Sequence, residues 1–137
     1  MKYVDFKATM LWKRIDVDGF PKIGKYQCVD LFKFYCDKVY GIRLNKTWNA
    51  NQIRKNTYRI FSPAWKRLSI LVSLRQWDVI LSIKWEFWHV AIFDHEENWL
   101  IYVLEQNWVW WGNWLGWNAI RLKGYPRRFF IWVWRYM

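Results

Sequence analysis

From Asp78 onward the apolar residues fall into short runs, and most of the links between them are too short to hold a helix. Asp78-Val79-Ile80-Leu81-Ser82-Ile83 is the first run, His89-Val90-Ala91-Ile92-Phe93 the second, and Leu100-Ile101-Tyr102-Val103-Leu104 the third. Ala119-Ile120-Arg121-Leu122 and Phe129-Phe130-Ile131-Trp132-Val133-Trp134 complete the set. A parallel crossover needs a dozen or more residues, so runs joined by a handful pair antiparallel. This part of the chain therefore predicts an antiparallel sheet. Ile60 to Trp65 reads as extended chain with Pro63 as a breaker.

The first part of the chain has a different period. Tyr3, Val4, Phe6, Met10 and Leu11 predict a short helix within Lys2 to Leu11. Val29, Leu31, Phe32, Phe34, Tyr35 and Val39 recur at helical spacing, bracketed by Gly24 and Gly41, and predict a second helix ending near Tyr40. Asn45 to Tyr58 is polar and mixed, a loop with a short helix near Ala50-Arg54. Helices first and strands afterwards is the α+β pattern, with N-terminal helices packed on an antiparallel β-sheet. With no linker composition and no internal repeat, residues 1–137 read as a single domain.

Cys28 opens the second helix. In a first helical turn, orphan backbone N–H groups and the positive dipole end favour an anion, and a thiolate is one. The competing reading is a small buried hydrophobe, the usual state of a free cysteine. Cys36 lies on the same helix about two turns away, too far for a disulfide with Cys28.

The net charge of +11 attracts polyanions such as nucleic acid, anionic lipid or anionic wall polymers. The Lys and Arg residues are scattered, without a basic block. No stretch of roughly 18 residues is free of charge, so no membrane span is expected. Met1 to Leu11 alternates charge with apolar residues, so no signal peptide is expected either.

A thiol nucleophile needs a base and a group to orient it. The chain has two histidines, His89 at a strand start and His95 beside Asp94, Glu96 and Glu97 in what reads as an exposed turn. If the second and third runs form a hairpin turning near residue 97, positions 89 and 105 are symmetric about the turn and meet. Glu105 or Asn107 then reaches the imidazole, giving Cys28, His89 and Glu105 as nucleophile, base and orienter.

Gln27-Cys28-Val29-Asp30 at a helix start, then His89-Val90-Ala91-Ile92, then Glu105-Gln106-Asn107, resembles the CHAP family of cysteine, histidine-dependent amidohydrolases/peptidases. The resemblance runs from about residue 10 to the C-terminus. It implies a papain-like fold and cleavage of amide bonds in bacterial peptidoglycan, as in phage endolysins. It also implies Asn107 as an assisting polar residue and Gln27 as part of an oxyanion hole with the Cys28 backbone N–H. No cofactor is required on this reading. Some members bind calcium in an acidic loop before the cysteine, and Asp16, Asp18 and Asp30 are the candidate ligands here. The loop is longer than in those members, and an Asx-rich turn accounts for Asp16 and Asp18 equally well.

The chain departs from the family in its 14 tryptophans. Trp12, Trp48, Trp77, Trp88, Trp108 and Trp132 stand where the family usually has glycine. A codon read as glycine in one genetic code and as tryptophan in another accounts for such a pattern; the alternative is a chain that is natively rich in tryptophan.

The expected function is a phage lysin cleaving wall peptide, as an N-acetylmuramoyl-L-alanine amidase or an endopeptidase, with peptidoglycan as partner and anionic wall polymer as an accessory one. It would act at the bacterial cell wall after release at lysis or from a virion. The alternatives are a related cysteine protease acting on protein and an inactive basic aromatic module that binds wall polymer or nucleic acid. A complete Cys/His/Glu set argues against the binding module, because binding alone needs none of it.

Overall fold

The computed structural model describes residues 1–15, 28–43, 65–82, 89–106 and 119–136. Helix α1 spans Tyr3–Met10 and α2 spans Cys28–Tyr40. Six strands follow: β1 Trp65–Ser69, β2 Val79–Ser82, β3 His89–Glu97, β4 Leu100–Glu105, β5 Arg121–Pro126 and β6 Phe130–Tyr136. They form one sheet in the order β1-β6-β2-β3-β4-β5, with every neighbouring pair antiparallel. The α+β expectation holds.

Both helices pack on one face of this sheet. Tyr3, Phe6 and Met10 of α1 and Leu31, Phe32, Tyr35 and Cys36 of α2 meet Val79, Leu81, Val90, Ile92, Leu104 and Trp134. The other face buries Ile80, Ala91, Phe93, Ile101, Val103 and Val133 under Leu68, Ile70, Val72 and Leu74. Two covered faces explain why the central strands read as continuous apolar runs instead of alternating. The hydrophobic term over such a core is about 25 cal/mol per Å² of apolar surface buried.

Helix α2 ends where Gly41 turns to φ 69°. The Gly41 N–H donates to the Asp37 carbonyl and the Ile42 N–H to the Cys36 carbonyl, which occupies carbonyls the helix leaves open. A side-chain cluster ties α1 to the sheet. The Asp94 carboxylate accepts from the Tyr3 hydroxyl at 2.9 Å, Lys7 Nζ at 2.8 Å and His95 Nδ1 at 2.6 Å. Burial opposes its charge, but these three donors and the Lys7 charge outweigh burial and hold the carboxyl below its usual range.

Several expectations need correction. His95 is not in a turn: β3 runs on to Glu97, and a register shift between Phe93 and His95 pairs His95 with Tyr102. The imidazole stacks on the Tyr102 ring at 4.6 Å between centroids. Trp65, where the expected extended segment Ile60 to Trp65 ends, opens an edge strand, Trp65–Ser69, on β6. Lys66 and Arg67 are exposed there, so the run shows no apolar alternation. The strand expected at 119–122 lies at Arg121–Pro126. Ile120 instead exchanges backbone hydrogen bonds with Trp12 and Lys13 at 2.7 Å each. Trp132 does not occupy a glycine-type position: it sits within β6, paired with Ser69 and Leu81, under the Arg67 guanidinium at 4.5 Å. Trp48, Trp88 and Trp108, and the short helix expected near 50–54, lie outside the described residues.

Candidate active site

Three elements converge on one spot: the start of α2, the start of β3 and the end of β4. Cys28 is the first residue of α2 and is 8% exposed. His89, the first residue of β3, and Glu105, the last of β4, are 2% and 0% exposed. His89 Nε2 lies 3.0 Å from Glu105 Oε2. The Cys28 side chain is a hydrogen-bond partner of the same imidazole. With Nε2 held by the carboxylate, Nδ1 is the ring nitrogen left for the thiol.

The β3–β4 register ends at Ile92↔Leu104, so its continuation sets Glu105 opposite Ala91 and diagonal to His89. Diagonal neighbours about 7–8 Å apart are within reach of long side chains. The expected meeting of 89 and 105 therefore occurs, but by a diagonal reach. The symmetric count placed the turn near 97, whereas the turn is Asn98-Trp99 and the shift at Phe93/His95 moves the register again.

Burial by itself pulls the His89 imidazole pKa down. The electrostatic interaction and hydrogen bond with Cys28, followed by those with Glu105, outweigh it and push the pKa up to about 9. The site thus favours a protonated imidazole in an apolar enclosure, because it supplies acceptors on both sides of the ring.

Glu105 has further partners that the sequence reading missed. Its Oε1 accepts from Arg121 Nε at 3.0 Å and from the Tyr125 hydroxyl at 2.5 Å. Arg121 and Tyr125 stand four apart on β5, and Arg121 pairs directly with Glu105 in the sheet. The only signal in the sequence was the spacing of an Arg and a Tyr on one strand face, which has no meaning until β5 is known to neighbour β4.

Gln106 is fully buried. Its side-chain amide accepts from the Ile15 N–H and donates to the Ile15 carbonyl, each at 2.8 Å, so it behaves as a peptide unit added to the chain that precedes α2. Gln27, Asn107, Asp16 and Asp18 lie outside the described residues. Asp30 is fully buried in the first turn of α2. No cluster of three or more His, Cys, Asp or Glu with metal-site spacing occurs among the described residues. Cys36 is fully buried, and burial pushes its thiol pKa up. Both cysteines are free thiols. No helix among the described residues is long and apolar enough to cross a membrane.

No protein-family model matches the chain. No curated protein matches it either. Solved structures do resemble it. The crystal structure of the wild-type endolysin LysIME-EF1 superposes with a TM-score of 0.76 at 17% identity, over 96% of this chain and 61% of that one. Ly7917, solved alone and with the hydrolysing product of MDP, gives a TM-score of 0.59 at 13% identity, over 94% of this chain and 59% of that one. The fold is therefore one found in an endolysin, and this chain spans about three fifths of the length of those proteins.

Proposed function

We propose that the chain is a cysteine-dependent peptidoglycan hydrolase of the CHAP kind, a phage lysin module that cleaves an amide bond of the wall peptide. The observation that carries this reading is the line Cys28–His89–Glu105, buried at the end of a sheet, with a 3.0 Å bond between imidazole and carboxylate. An endolysin of similar fold supports peptidoglycan as the substrate class.

In this mechanism the Cys28 proton already rests on His89, and the sulfur attacks the scissile carbonyl, forming a C–S bond as the carbonyl π pair moves to oxygen. The Cys28 backbone N–H, at the start of α2, is a donor for the oxyanion, with Gln27 as the second. One such donor is worth about 3 kcal/mol. As the C–N bond breaks, the His89 imidazolium protonates the leaving amine. Neutral His89 then takes a proton from water, hydroxide attacks the thioester, and the C–S bond breaks to leave the sulfur as a thiolate beside the imidazolium. Glu105 holds the ring with Nε2–H toward itself throughout, keeping Nδ1 on the thiol side. Asn107 would be the assisting polar residue that the family resemblance implies.

Clearing of a purified cell-wall suspension by the wild type, and none by Cys28→Ala, tests the reading. The +11 charge favours a second one, a module that only binds anionic wall polymer. Salt-sensitive sedimentation with walls, with no release of peptide or amine by the wild type, would establish that one instead.

A further inference from the structure

The structure assigns Arg121 and Tyr125 as positioning residues that hold the Glu105 carboxylate in the one orientation that serves His89; this rests on the hydrolase reading above. The two carboxylate oxygens have separate tasks. Oε1 accepts from Arg121 Nε at 3.0 Å and Tyr125 Oη at 2.5 Å, and Oε2 is left to His89 Nε2 at 3.0 Å. Arg121 Nη2 also approaches the Tyr125 hydroxyl at 3.4 Å, so the two grips form one unit. Glu105 is 0% exposed. A carboxylate so deep in the fold needs its lone pairs occupied, and its side chain turns unless one oxygen is anchored. Adjacent strands supply both conditions: Arg121 lies directly across from Glu105, and Tyr125, four residues on, returns its hydroxyl to the same oxygen.

Tyr125→Phe removes one oxygen from this arrangement, Arg121→Ala removes the cation, and Arg121→Lys keeps the cation without the Nε geometry. On a soluble wall-peptide substrate, Tyr125→Phe and Arg121→Ala should lower kcat roughly 10- to 100-fold through misplacement of the imidazole, with KM nearly unchanged. The basic limb of the rate profile should move to lower pH, because a misplaced Glu105 carboxylate supports the His89 imidazolium less. Arg121→Lys should restore the limb and part of kcat. A lowered melting temperature with wild-type kcat and limb in Tyr125→Phe and Arg121→Lys would overturn the assignment, and those two variants decide it if Arg121→Ala does not fold. Cys28→Ala in the same assay separates the two claims. Activity in that variant sinks the hydrolase reading, whereas an inert Cys28→Ala beside an unaffected Tyr125→Phe sinks only the positioning role.

A different observation carries a second inference: Trp12, Trp77 and Trp99 stand at backbone positions built for glycine. Four non-glycine residues among those described have positive φ: Trp12 at 69°, Trp77 at 79°, Asn98 at 50° and Trp99 at 65°. Asparagine tolerates this region, and the other three are all tryptophan. Each sits at the turn position that demands glycine. Met10 to Lys13 closes with the Lys13 N–H on the Met10 carbonyl at 3.0 Å, with Leu11 at φ −50° and ψ 132°. This is a type II turn with Trp12 third. Arg75 to Asp78 closes the same way at 2.9 Å with Trp77 third. Asn98-Trp99 is the two-residue link between β3 and β4, where Glu97 pairs with Leu100. Positive φ at both central positions is the type I′ hairpin, whose preferred pair is Asn-Gly. The three side chains are 76%, 42% and 93% exposed, so packing offers little to offset the strain. We infer that the gene specifies glycine at these three positions through a codon read as tryptophan here. Trp12→Gly, Trp77→Gly and Trp99→Gly should each raise the melting temperature by a few degrees, and Trp132→Gly, within a strand, should lower it. The three codons should be UGA. No gain in stability at any of the three, or UGG at all of them, would overturn the inference.

Discussion

Glu105 reaches His89 across a diagonal of the β3–β4 pair, with 3.0 Å between Oε2 and Nε2. The ring is thereby held between a carboxylate and a thiol, with His89 itself 2% exposed.

Glu105→Gln should lower the pH at which activity falls on the basic side. The His89 pKa is raised to about 9, so the imidazolium that protonates the leaving amine persists through the neutral range in the wild type. Removing the carboxylate removes one cause of that rise and lowers the pKa. The rate near neutrality should drop roughly 100-fold or more. The same linkage has a stability side. A folded-state pKa above the unfolded value of about 6.5 contributes stability that is full below 6.5 and lost as pH rises through about 9. Chemical denaturation from pH 6 to 10 should show this decline in the wild type and a smaller one in Glu105→Gln. An identical basic limb in the two proteins would remove Glu105 from the mechanism.

Thiol chemistry should divide the two cysteines. Cys28→Ser should keep the fold and lose all but a few per cent of activity, while Cys36→Ser should be mild in activity. Burial raises the Cys36 pKa and shuts out reagents, so one equivalent of a thiol alkylator should label Cys28 and stop hydrolysis. Peptide mapping that finds the label on Cys36 would contradict this.

Arg135 and Asp78 make a buried pair that braces β2 against β6 far from the chemistry. Arg135 Nε and Nη2 donate to the two carboxylate oxygens at 2.8 and 2.7 Å, and Asp78 is fully buried. Breaking such a pair from one side costs about 3–5 kcal/mol. Arg135→Ala should therefore shift the urea midpoint strongly, with little change in kcat for the fraction that remains folded. A loss of less than 1 kcal/mol would mean that the pair behaves as a surface contact.

Calcium is tested by removal. If Asp16, Asp18 and Asp30 form a site, EDTA should lower activity or melting temperature, and added calcium should restore it. No change in either measurement would leave these residues as turn and helix-start chemistry.

The sequence by itself determined the two helices, the glycine that ends the second, the antiparallel character of the sheet, and the hairpin that brings position 105 to the neighbourhood of 89. All of these follow from local period and link length, which act over a few residues and leave a readable pattern. Only the tertiary structure decided that β6 inserts between β1 and β2, that Trp65–Ser69 is a strand at all, and that β5 lies beside β4 so that Arg121 and Tyr125 grip Glu105. Those outcomes depend on pairing between segments distant in sequence. Where both faces of a sheet are covered, an apolar run fits a central place in several strand orders equally well, and the choice among them is made by packing across the whole core. The register shift at Phe93/His95 belongs with these, since a one-residue shift leaves no mark on composition yet decides which side chain faces the imidazole.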